Sequence, residues 1–270
     1  MFWVRLASSV VLLAVTVTVM ILGGYPLFIY LLALSLIGMM EFYRLMGKHK
    51  SLPAAAAYLC ALAYWLLLFF APEVSRIIAP AALLVALLGI FVFTYPKYEP
   101  QEITHIFFGM VYVCVMLSCL WMIRMLPAGN YLVWLAFICA WGCDTCAYCV
   151  GMLIGKHKMT PVLSPKKSVE GAIGGVLGAG LLGMAYALIF GDKLTILPSP
   201  VSACIIIGMA GGALSMVGDL AASAFKRHYG IKDYGKLIPG HGGVLDRFDS
   251  ILITAPVTLG CILLLAEVMG

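Results

Sequence analysis

LASSVVLLAVTVTVMILGGYPLFIYLLALSLIGMM, residues 6–40, contains no Asp, Glu, Lys or Arg. A soluble domain carries roughly 25% charged residues, and an uncharged run of this length belongs in a bilayer. The whole 270-residue chain has the same character, with 63% hydrophobic and 11% charged residues and a mean hydropathy of +1.06. Composition excludes a soluble enzyme, a disordered tail and a secreted disulfide scaffold, but not a membrane enzyme. A bilayer core about 30 Å thick needs about 20 apolar helical residues. Working outward from 6–40, nine segments qualify: approximately 6–22, 27–43, 53–71, 77–95, 103–126, 131–155, 170–190, 201–225 and 250–268. A span must satisfy its own backbone polar groups, and the alternation of a membrane barrel is absent, so the expectation is all-α. The predicted fold is a polytopic membrane protein of about nine helices with a polar cavity near the cytoplasmic face.

Nine spans put the termini on opposite sides, and the distribution of Lys and Arg assigns the sides. Of the 17 basic residues only Arg76, Arg124 and Lys193 fall on the side away from the N-terminus, so the N-terminus and the long loops are expected in the cytoplasm of a cell-membrane protein. Arg5 followed by an apolar run resembles a signal peptide, but Gly23, Gly24 and Pro26 follow without a small-x-small cleavage site, so a retained helix is expected. The net charge of +5 is scattered between apolar segments and is not gathered into a basic domain, so no nucleic-acid partner is expected. The nine cysteines lie in apolar runs, where a thiol behaves as a small hydrophobe, and no disulfides are expected.

The layout divides into an N-terminal region, 1–130, holding about five spans, and a C-terminal region, 131–270, with polar loops at 156–169 and 226–249. The second loop reads KRHYGIKDYGKLIPGHGGVLDRFD, with five basic residues, three acids, two His and five Gly. A connector between two helices needs none of that. Helical spacing extends each loop into the membrane. Ser215, Asp219, Ser223 and Lys226 share one face of the eighth span, and Asp246, Asp249, Ser250 and Thr254 one face of the ninth. Asp144 lies in the sixth span, where a carboxylate costs about 2.5 to 3.5 kcal/mol, so it is expected to face the cavity and hold a partner.

Carboxylates, Lys, Arg and a Gly-Gly turn at a membrane surface suit phosphate chemistry. Asp219 and Asp246 offer the hard oxygen ligands that Mg²⁺ prefers. Lys and Arg would neutralise phosphate oxygens, and Gly240, Gly242 and Gly243 would let backbone N–H groups approach an anion. Each also has a plainer reading. Asp219 could be a buried acid paired with Lys226 or Arg227, Asp246 could cap the ninth helix, and His241 could be a solvated loop residue. Cys143, Cys146 and Cys149 mimic an iron–sulfur run but sit in an apolar helix without a following Cys-Pro. Gly178, Gly180 and Gly183 form GxGxxG with no strand before them, so the dinucleotide reading fails. Gly171 with Gly175, and Gly174 with Gly178, fit close helix packing and permit a homodimer.

From Ser223 the chain reads SAFKRHYGIKDYGKLIPGHGGVLDRFD, which is similar to the signature of the phosphatidate cytidylyltransferases, the CDP-diacylglycerol synthases. SPKKSVEG (164–171) and DTCAY (144–148) resemble two further blocks of that family in the same order. Cys146, Val162 and Val169 depart from its usual Gly, basic residue and Trp. The resemblance implies transfer of a cytidylyl group from CTP to phosphatidic acid, with CDP-diacylglycerol and pyrophosphate as products and Mg²⁺ as cofactor, a second metal ion being open. It implies metal ligation by Asp219 and Asp246, with Asp144 as a further ligand or orienting partner. Lys167, Lys226, Arg227 and Arg247 would stabilise the triphosphate and the leaving pyrophosphate. His241 with Gly242 and Gly243 would shape the phosphate loop, and Lys166, Ser223 and Asp249 would complete the nucleotide-binding set. Two rivals remain at this stage: a CTP-dependent lipid or polyprenol kinase, and an ion-coupled transporter suggested by acids within spans.

Overall fold

The computed structural model describes the backbone of residues 2–240 and 242–269, with side chains described throughout except at 2–6, 72–77, 268 and 269. Among these residues nine long helices occupy the nine predicted segments: α1 (Phe2–Leu22), α2 (Gly24–Leu45), α3 (Leu52–Phe70), α4 (Pro72–Phe93), α5 (Pro100–Met125), α6 (Gly129–Ile154), α7 (Val169–Phe190), α8 (Pro200–His228) and α9 (Leu245–Met269). Seven are long and apolar enough to cross a bilayer, and the searched parts of α1 and α4, Ala7–Leu22 and Ile78–Phe93, are shorter apolar helices. The chain is an all-α multi-pass membrane protein.

Local chemistry sets the helix starts. Pro72, Pro100 and Pro200 open α4, α5 and α8 at a position where a missing N–H costs nothing. Ser51 and Ser168 cap α3 and α7, their hydroxyls accepting the N–H groups of Ala54 and Gly171. Helices α5 and α6 each contain a π-helical turn, at Met110–Val115 and Ile138–Gly142. The second turn ends two residues before Asp144. Where a polar connector is expected at 156–169, a short antiparallel hairpin forms from β1 (Lys158–Thr160) and β2 (Ser164–Ser168).

The chain divides into two compact units, residues 1–118 with 232–247, and residues 119–231 with 248–270. In the first, the buried face of α3 (Ala54, Ala57, Ala61, Tyr64, Trp65 and Leu68) recurs at helical spacing. The polar ends of its aromatics are satisfied: the Trp65 indole donates to Ser35 Oγ at 3.1 Å, Tyr64 pairs with Ser118 at 2.7 Å, and Tyr43 donates to the Ile106 carbonyl at 2.7 Å. Lys48 lies 2.8 Å from the buried Glu102. In the second unit α6, α7 and α8 approach so closely that side chains are excluded. A Cβ on Gly174 or Gly178 would strike Val150 or Cys146 of α6, and one on Gly183 or Gly208 would strike backbone across the α7–α8 crossing. The glycines that permit a homodimer by spacing are therefore occupied by packing within the chain. All nine cysteines are free thiols, as expected, and the buried Cys139 and Cys143 donate to the carbonyls of Ile207 and Gly212.

Candidate active site

Each unit holds a cluster of charge. In the second, α6 supplies Asp144, β2 supplies Lys166 and Lys167, and α8 supplies Asp219. The hairpin is held against the start of α7 by Glu170. Its carboxylate accepts the N–H groups of Lys156 and His157 at 3.1 and 3.2 Å and meets His157 Nδ1 at 2.5 Å. That clasp, with the Ser168 cap, sets the strand that carries the two lysines. Lys167 forms an ion pair with Asp219. Asp219 thus has the hairpin lysine as a partner. None of the Lys167 N–H bonds is aligned on a protein acceptor, so the pair is held by charge. Asp144 lies in the field of Asp219 and Lys167 and within hydrogen-bonding reach of Ser250. Asp249 lies in the field of Asp219, Asp144 and Lys226.

A cavity of about 480 Å³ is lined by Asp144, Lys166 and Lys167 together with Tyr148, Met152, Met159 and Met216. The polar stripes are shorter than spacing predicts. Ser215 is buried and turns its hydroxyl to the Gly212 carbonyl of its own helix, and Thr254 donates to the Ala136 carbonyl, so both serve packing. Arg227 is exposed and reaches the Ile231 carbonyl at 3.5 Å, while Ser223 is half-buried on α8.

In the first unit, the segment 232–247 folds around two carboxylates. Asp246 Oδ2 accepts the N–H groups of Tyr234 and Gly243 at 2.8 and 2.9 Å. Asp246 therefore organises the loop and does not cap the helix, since it sits one residue inside α9. The second carboxylate is Glu41 of α2, 2% exposed, which accepts the N–H groups of Val244 and Leu245 at 3.0 and 2.9 Å. The loop closes on itself through Ile238 N–H to the Gly242 carbonyl at 2.9 Å.

The glycines of this loop have a reason different from the expected one. Gly242 adopts φ +87°, and a Cβ there would lie 2.7 Å from Asp246 Oδ2. A Cβ on Gly243 would lie 2.5 Å from both Glu41 oxygens. The Gly243 N–H, expected to reach an external anion, is held by Asp246. Outside this frame lies a cavity of about 530 Å³ whose lining includes Lys232, Lys236 and Arg247 with Asp233 as its acid. His241 lies outside the described residues. Glu41 is the residue that the sequence reading misses. Its signal is an acid inside the apolar segment 27–43, a position too costly to hold a charge without partners.

The arrangement can bind anionic phosphates at lysine and arginine, and Asp144, Asp219 and Asp249 against the ammoniums of Lys167 and Lys226 leave an excess of negative charge that a hard divalent cation would balance. Among the described residues no three His, Cys, Asp or Glu side chains converge on one point. That suits an ion taking one or two carboxylates and completing its shell from phosphate and water. Comparison with known proteins agrees with this chemistry. The sequence matches the cytidylyltransferase family over residues 3–265. A phosphatidate cytidylyltransferase of Staphylococcus saprophyticus is 33% identical across 94% of this chain and 96% of that protein. Proteins of the same name from Staphylococcus aureus and Staphylococcus epidermidis are each 31% identical with the same coverage. With matched residues running almost from end to end, the chain belongs to the cytidylyltransferase family.

Proposed function

We propose that this protein is a phosphatidate cytidylyltransferase, joining the cytidylyl group of CTP to phosphatidic acid to give CDP-diacylglycerol and pyrophosphate. Support comes from the relatives of that name, and the observation that carries the reading is the Asp144, Lys167 and Asp219 cluster at a cavity that Met152, Met159 and Met216 also line. An unesterified oxygen of the lipid phosphate attacks the α-phosphorus of CTP. The bond from that phosphorus to the bridging oxygen breaks, and its electron pair leaves on pyrophosphate. The attacking phosphate is already ionised near neutral pH, so the chain needs no strong base and works by positioning and charge neutralisation.

Lys166 and Lys167 neutralise phosphate in the cavity, and the Tyr148, Met152 and Met159 side chains that also line it receive the acyl chains. Lys232, Lys236 and Arg247 take the triphosphate. Asp144 and Asp219 would hold Mg²⁺ with Asp249 beside them. The ion would withdraw charge from phosphate oxygens as a Lewis acid. The basic bias of the loops supports a cytoplasmic N-terminus and cytoplasmic active-site loops in the cell membrane.

The test is purified protein in detergent with phosphatidic acid, Mg²⁺ and CTP labelled separately at the α- and γ-phosphates. Entry of α-label into lipid with release of pyrophosphate is expected. Entry of γ-label would make the protein a kinase, and entry of neither into lipid by folded protein would end the transferase reading.

A further inference from the structure

The first N–H groups of a helix are a ready anion site, because no carbonyl of the helix reaches them. At the start of α9 the N–H of Leu245, and those of Gly243 and Val244 just before it, are already taken. Val244 and Leu245 give theirs to Glu41, and Gly243 gives its own to Asp246. Glu41 comes from α2, some two hundred residues away in sequence. It is buried, and each of its oxygens accepts one of the two bonds. It also lies behind the wall of the 530 Å³ cavity. Gly235 lines that cavity, and a Cβ on Gly235 would stand 2.5 Å from Glu41 Oε1. Backbone donors that would otherwise face a phosphate are thus drawn inward by a protein carboxylate. The outer side of the loop is left to Lys232, Lys236 and Arg247.

We propose that Glu41 is a positioning residue for CTP. It pins Val244 and Leu245 so that the cationic side chains of the loop present one fixed surface to the triphosphate, and it takes backbone donors at the start of α9 that would otherwise compete for the anion. The inference rests on the proposed cytidylyltransferase reading. It assigns to the second span, which sequence shows only as an apolar helix with one acid, a part in nucleotide recognition. Glu41 is buried and acts through the backbone of the loop.

The test uses the full-length protein in detergent and compares wild type with Glu41→Gln and Glu41→Ala. Hydrogen exchange of a peptide spanning 232–248 reads the loop without any activity. Exchange is expected to accelerate in Glu41→Ala and less in Glu41→Gln, whose amide keeps one acceptor. In the turnover assay KM for CTP is expected to rise about tenfold or more in Glu41→Ala, as follows from losing two buried hydrogen bonds to a charged group. KM for phosphatidic acid should stay within about twofold, and Glu41→Gln should fall between. A general loss of structure would move both KM values and the thermal midpoint together. Should Glu41→Ala fail to fold, Glu41→Gln carries the same comparison. Unchanged exchange, or an unchanged KM for CTP in folded variants, overturns the proposal. A wild type that transfers no cytidylyl group fails the functional reading instead, and loop exchange still reports whether Glu41 pins the segment.

Discussion

Asp219 and Lys167 hold opposite charges in contact within a mostly apolar unit, so removing either leaves the other without its partner. Asp219→Asn should reduce turnover at least about a hundredfold, in the range seen when a group stabilising transition-state charge is lost, while the protein stays folded. An active Asn variant would remove Asp219 from the chemistry. The same substitution should raise the Mg²⁺ concentration needed for half-maximal rate in whatever activity remains. Gly243→Ala puts a methyl group 2.5 Å from both Glu41 oxygens, and its effect on KM for CTP should resemble that of Glu41→Ala. Lys48 shows the sign of a simpler charge effect. The hydrogen bond and charge of Glu102 hold its ammonium pKa above the ordinary lysine value. The contribution is therefore complete below the unfolded-state pKa and lost only as pH rises through the folded one. Lys48→Ala should lower the thermal midpoint by a constant amount from pH 6 to pH 9, and a decrement that changes across that window would contradict the pairing.

The hairpin is the element on which the second cluster depends. Its two strands are short, and a lone two-stranded hairpin is marginal in water, so it needs the Glu170 clasp and the Ser168 cap. Glu170→Gln keeps the size of the side chain but removes the charge that gathers two backbone N–H groups and His157. Exchange of peptide 155–168 should accelerate, and turnover should fall because Lys166 and Lys167 lose their fixed position. Normal exchange would mean the hairpin stands without the clasp. Ser168→Ala should cost about 1 kcal/mol through loss of the α7 cap, read as a lower thermal midpoint in detergent. The hairpin itself is hard to read from sequence, since SPKKS has none of the β-branched alternation of a strand. Its backbone pairing and its neighbours hold it there.

Across the molecule, the membrane assignment and the charge asymmetry give a test of orientation. Val162, at the hairpin tip, is 85% exposed. A Val162→Cys thiol should react with an impermeant maleimide in inverted vesicles and not in right-side-out ones, above the background of the native thiols. Reaction only in right-side-out vesicles would reverse the topology.

The helical class and the nine apolar segments, seven of which form helices long enough to cross a bilayer among the described residues, were legible in the sequence because a bilayer admits only long apolar segments that satisfy their own backbone. Charge within them is too costly to be incidental, so Asp144 and Asp219 stand out, and the basic residues of the loops at 156–169 and 226–249 led to the expectation of phosphate chemistry there. The partners of those charges were not legible. Asp219 with Lys167, and Glu41 with Val244 and Leu245, join residues with no periodic relation in the chain. The use of Gly242 and Gly243 also depended on the fold, because a glycine looks the same in sequence whether it admits a ligand or a neighbouring carboxylate. Only tertiary structure decides which side chain comes to lie against it.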